Sequence, residues 1–80
     1  MIVKVQLFAS LKEALGETVE LEVPEPATVS SLMDSFLALA PQFAYARQNL
    51  NVAVNLEYSA EDRTIEPGQE IAIFPPVSGG

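Results

Sequence analysis

The seven residues FPPVSGG, 74–80, carry the chemistry that this sequence offers most openly. Gly79 and Gly80 have no Cβ, and no residue is written after them. A carboxylate at such an end is a poor acyl donor until it is activated, for instance as an acyl adenylate. An enzyme that forms this intermediate must exclude water or lose it to hydrolysis. A closed tunnel therefore selects for a thin, unbranched length of chain, and any residue larger than glycine should clash there. Pro75 and Pro76 hold φ near about −65° and favour an extended, polyproline-like path. They stiffen the exit from the body of the protein, and Val77 and Ser78 after them are small. Fully extended, the six residues after Phe74 reach about 20 Å at ~3.3 Å each, long enough to thread a narrow channel in another protein. The bland alternative is a frayed terminus that happens to end in two glycines. The paired prolines immediately before it argue against that reading.

The remaining residue types exclude most other chemistry. Cys and His are both absent from the sequence. Disulfides, thiolate nucleophiles, Cys/His zinc sites and the usual general base near neutral pH are thereby removed. Glu57, Glu61, Asp62 and Glu66 resemble a metal cluster only loosely, because they lack the D-x-D-x-D-G order of a calcium loop. Eleven Asp and Glu against four Lys and Arg leave a net charge of −7. Such a polyanion does not seek phosphate backbones or anionic lipid, so neither nucleic acid nor membrane is an expected partner. A basic protein surface is the natural complement, although acidity also serves solubility. No apolar run approaches the ~18 residues of a membrane span. MIVKVQLF lacks a signal-peptide layout, so a cytoplasmic protein is expected.

A tail of this kind needs a body to project from. The 80 residues, 49% apolar and 19% charged, suit one small domain with a true core. Residues 2–8, IVKVQLF, alternate at period two with Val3, Val5 and Leu7 on one face, as in a half-buried strand. In ASLKEALG, Ser10 and Glu13 have the spacing of a capping box, and Gly16 fits a helix stop. TVELEV (18–23) alternates again, with Glu20 and Glu22 toward water. Pro24 and Pro26 then break the strand. Thr28 is the expected cap of the main helix. Val29, Leu32, Met33, Phe36, Leu37 and Ala40 form its apolar stripe, and Pro41 ends it. Residues 42–50 read as an irregular loop or a further helical turn in which Phe43, Tyr45 and Leu50 could pack. Arg47 has no visible partner there. NVAVN (51–55) is a short strand. A turn-rich stretch with Pro67-Gly68 follows, and EIAIFP (70–75) is the last strand. One amphipathic helix cannot cover two sheets, so the simplest architecture is an α+β roll of one mixed sheet around one main helix, with a short helix after the first strand.

LFASLKEALG (7–16), AVN (53–55) and above all IAIFPPVSGG (71–80) resemble the small-subunit family of molybdopterin synthase, which are ubiquitin-like sulfur carriers. Ser78 stands where that family commonly has Ala. The resemblance implies a β-grasp form of the roll, with a mixed sheet of four to five strands. Residues 1–75 would be the domain and 76–80 a flexible tail. It implies that the Gly80 carboxylate is adenylated by an ATP-dependent activating enzyme and converted to a thiocarboxylate. Val77, Ser78 and Gly79 would thread the partner's tunnel. The sulfur would pass to a cyclic pterin precursor in molybdenum cofactor biosynthesis, inside a large subunit that supplies the catalytic side chains. No cofactor would be bound by this chain, and a heterotetramer of two large subunits and two carriers is the family arrangement. Phe8, Phe74, Pro75 and Pro76 would form an apolar interface with these partners. Phe74 is expected to face outward, while Phe8 suits either the core or this patch. A thiamin-type sulfur carrier, a protein modifier joined to lysines through Gly80, and an interaction domain with an inert tail all remain open.

Overall fold

The computed structural model describes residues 1–76. The expectations placed on Val77, Ser78, Gly79 and Gly80 lie outside the described residues.

Strand β1 (Ile2–Leu7) is followed by helix α1 (Ala9–Leu15), strand β2 (Thr18–Glu22) and helix α2 (Val29–Leu39). A 3₁₀ segment, Pro41–Asn49, leads into strands β3 (Asn51–Val54), β4 (Glu57–Tyr58) and β5 (Ile71–Phe74). The five strands form one sheet in the order β2-β1-β5-β3-β4. The central pair β1–β5 is parallel, and every other pair is antiparallel. This is the α+β roll that the alternating patterns predict.

The period-two alternation translates directly into a two-faced sheet. Val3, Val5 and Leu7 of β1, Val52 and Val54 of β3, and Ile71 and Ile73 of β5 are buried under α2. Val29, Leu32, Met33 and Phe36 answer them from the helix. Each fully buried side chain of this size contributes about 1.5–3 kcal/mol by leaving water. The inner face therefore fixes the strand register, since a slip of one residue would turn the whole apolar set outward.

Helix α2 begins where its polar residues dictate. The Thr28 Oγ1 accepts the Ser31 N–H at 3.2 Å, and the Thr28 N–H donates to Ser31 Oγ at 2.8 Å. This reciprocal box satisfies two helix-end groups with serine in place of the usual Glu or Gln. Thr28→Ala is expected to cost about 1 kcal/mol, or about 4–8 °C in melting temperature. Thermal unfolding followed by circular dichroism measures it.

Helix α1 departs from expectation. Its N-cap is Phe8, with no side-chain cap, and Ala9 enters the helix at φ +52°. Ser10 already lies inside the first turn, so its hydroxyl is past the capping position. The helix stop at Gly16 is as predicted: φ is +96°, and its N–H donates to the Lys12 carbonyl at 2.8 Å.

Residues 42–49 are helical in the 3₁₀ sense, and Leu50 ends the segment in extended backbone. Phe43 stacks on Phe36 with ring centroids 6.4 Å apart, and Ala46 and Leu50 are buried. Tyr45 does not pack; it is 87% exposed. Arg47 is well partnered, contrary to its isolated look in the sequence. It bonds the Asp34 carboxylate at 2.6 Å and Glu61 at 3.4 Å, tying α2 and the β4–β5 connection to the 3₁₀ segment. Strand β4 was hidden in the stretch read as turns, because two residues cannot display an alternation.

Candidate functional site

The parallel pairing of β1 with β5 sets Leu7 opposite Ile73. The next residues on the two strands, Phe8 and Phe74, therefore run abreast. Because Leu7 and Ile73 point inward, the pleat turns both rings to the open face of the sheet. They stack at 4.5 Å between centroids, with planes 11° apart. Tyr58 closes on Phe74 edge-on, at 5.8 Å and 69°. It arrives there through two register steps: Ala53 pairs with Tyr58 on β4 and with Ala72 on β5. Both geometries suit the ring quadrupole, and aromatic pairs of this kind contribute about 0.5–1.5 kcal/mol beyond their buried area.

This platform lies at the root of the C-terminal segment. Pro75 is half-buried and Pro76 exposed. Phe8, Tyr58, Phe74, Pro75 and Pro76 line a shallow depression of about 370 Å³. Phe8 and Phe74 remain half-buried and Tyr58 is 72% exposed, so the rings present apolar area to solvent. Contiguous apolar area of this kind on a small domain is a candidate interaction surface. The uncertainty over Phe8 resolves outward, and Phe74 faces outward as expected.

The structure thus brings Phe8, Phe74, Pro75 and Pro76 together at one end of the sheet. Tyr58 is a member that sequence reasoning missed. The only signal for it is Asn55 after a strand, which suits the first position of a tight hairpin turn, but Asn-Leu lacks the glycine that normally announces one.

The acidic residues do not gather into a site. Glu57 pairs with Arg63 at 3.3 Å, and Glu61 with Arg47. Among the described residues, no three of His, Cys, Asp and Glu are grouped to hold a metal ion. On the open face, Lys4 lies opposite Glu20, and Glu22 opposite Ile2. Among the described residues no helix is long and apolar enough to cross a membrane.

A five-stranded mixed sheet wrapped on one main helix, with β1 and β5 parallel at its centre, is a β-grasp, ubiquitin-like domain. Its aromatic platform stands where the chain leaves β5 for a Gly-Gly sequence. Residues 5–80 match the ThiS family, and the chain belongs to it. It is 36% identical to the molybdopterin synthase sulfur carrier subunit of Dictyostelium discoideum, over 96% of this chain and 94% of that one. It is 32% identical to the subunit of the same name from Arabidopsis thaliana, over 98% and 82%. Among solved structures, SAMP1 of Haloferax volcanii, a small archaeal modifier protein, superposes with a TM-score of 0.82 at 32% identity, covering all of both chains.

Proposed function

We propose that this chain is the sulfur carrier subunit of a molybdopterin synthase and that its reactive group is the Gly80 carboxylate. The observation that carries this reading is the Phe8–Phe74–Tyr58 platform at the root of PPVSGG, in a ThiS-family chain whose relatives include molybdopterin synthase sulfur carrier subunits. The platform docks the domain against a partner, and Pro75 and Pro76 stiffen the exit from β5. An ATP-dependent activating enzyme forms the Gly80 adenylate. A sulfide-equivalent nucleophile from a sulfur donor then attacks the acyl carbon and displaces AMP, leaving a thiocarboxylate. Val77, Ser78 and Gly79 enter the large subunit, where the sulfur passes to a cyclic pterin precursor and the carboxylate is regenerated. Two sulfurs make one dithiolene, so the carrier must leave and be recharged between transfers. The catalytic side chains belong to the large subunit. This chain has no Cys or His to offer, and in this reading it binds no cofactor of its own. The cytoplasm, with its ATP, is the compartment for this chemistry, and two carriers on a dimer of large subunits is the proposed assembly.

The similarity to SAMP1 favours a second reading, in which Gly80 is joined to lysines of other proteins. Both routes share the adenylate and part afterwards. Intact-mass analysis after incubation with ATP, the activating enzyme and a sulfur donor separates them. A carrier shows one oxygen replaced by sulfur at its C-terminus, whereas a modifier shows high-mass adducts with target proteins. Absence of the sulfur-for-oxygen exchange would overturn the first reading.

Phe74→Ala removes the ring shared by both aromatic contacts. Binding to the large subunit should weaken by about 2 kcal/mol, roughly 30-fold, as for a central aromatic anchor. Calorimetric titration measures it, and an unchanged dissociation constant removes Phe74 from the interface.

A further inference from the structure

Beside the platform, the open face of the sheet holds a groove of about 280 Å³. Ala53 and Ala72, register partners on β3 and β5, lie in it between longer side chains. Phe8, Tyr58 and Phe74 bound it toward the tail, and Leu56 stands at the hairpin tip. Two methyl groups flanked by rings and a leucine leave a space about one side chain deep.

Leu56 is an unexpected occupant of its position. It is 89% exposed, and its φ is +69°. Asn55 before it has φ +51°, so the two-residue link between Val54 and Glu57 has the left-handed backbone of a type I′ turn. Gly and Asn take this conformation readily, and leucine does so at a cost in strain. Here an aliphatic side chain is held against both its backbone preference and water. The tip is also anchored. The Asn55 N–H donates to the Glu70 carbonyl at 2.8 Å, and the Glu70 N–H donates to Asn55 Oδ1 at 2.8 Å. This double clamp fastens the turn to the chain entering β5, and Glu70 itself lines the groove. Residues in strained backbone persist where the surrounding structure over-determines them, and such sites concentrate at binding surfaces.

We propose that the groove is a socket for one apolar side chain of the large subunit, with Leu56 as its outer wall and Glu70 positioned for a lysine or arginine beside that side chain. The proposal rests on the reading of the aromatic platform as partner-facing. Continuity supports it, because Phe8, Tyr58 and Phe74 belong to both the groove and the depression at the tail root. Charge supports it as well, since a chain of net −7 with a carboxylate at the rim selects a basic neighbour.

Two substitutions test the socket from opposite sides. Leu56→Asn removes the wall while giving the turn a residue suited to left-handed φ, so its melting temperature should hold or rise. Ala72→Leu fills the floor without deleting any contact. Each should weaken binding to the purified large subunit about tenfold. If Phe74→Ala weakens binding and both groove variants bind normally, the socket is overturned and the platform stands. If all three bind normally, the platform reading fails with it. Light scattering of the free chain should show a monomer. A dimer abolished by Leu56→Asn would assign the groove to a second copy and overturn the proposal.

Discussion

Deleting Gly80 is expected to abolish sulfur transfer and to leave the melting temperature unchanged. The two halves of this result have separate causes. Among the described residues the apolar core runs from Val3 to Ile73 and is closed by α2, and a glycine has no side chain to add to it, so its loss should leave the fold standing. Transfer, by contrast, depends on where the acyl carbon lies. Removing one residue draws it back by ~3.3 Å. A misplacement of only about 1 Å can cost on the order of 100-fold in rate. The truncated chain still ends in a glycine carboxylate, so the loss isolates reach from chemical identity. Mass spectrometry of the thiocarboxylate and assay of the pterin product read the transfer, and circular dichroism reads the fold. Transfer at the normal rate by the truncated chain would show that Gly80 is not the carrier.

Gly79→Val is expected to block activation itself. Here the length of the chain and the terminal carboxylate are unchanged, and only the cross-section differs. Valine adds a Cβ and two methyl groups beside the reacting end and narrows the accessible backbone angles. A site closed tightly enough to protect an acyl adenylate from water leaves no room for that bulk. ATP–pyrophosphate exchange with the cognate activating enzyme should fall to background, with the fold intact. Exchange at the normal rate would mean that the enzyme shields its intermediate in some way other than a narrow tunnel. Taken with the Gly80 deletion, the variant separates two demands on the tail: reach in one case and thinness in the other.

The fold was largely legible because its signals are local. The alternations at 2–8 and 18–23 and the stripe from Val29 to Ala40 each lie within one element, and each determines which face is buried. The Thr28 cap was legible for the same reason, since its partner Ser31 is three residues away. What escaped depends on residues far apart in sequence. Arg47 looked unpartnered because Asp34 and Glu61 lie 13 and 14 residues from it. Strand β4 escaped because two residues carry no period, and Tyr58 was lost with it. Ser10 looked like a cap because its spacing to Glu13 fits a box, but with Phe8 as the cap and a left-handed entry at Ala9 the helix starts two residues earlier.

The sequence by itself determined a small acidic roll, the inner faces of its strands and its main helix, and a terminal segment without bulky side chains. These follow from side-chain chemistry and short-range periodicity, which need no distant partner. Only the tertiary structure decided that Phe8 faces out and stacks on Phe74, that Tyr58 joins them, and that Leu56 and Glu70 border a common groove. Those facts depend on the parallel register of β1 with β5 and on β3 lying between β4 and β5. Burying the apolar inner face sets that register, and the arrangement of the open face follows from it.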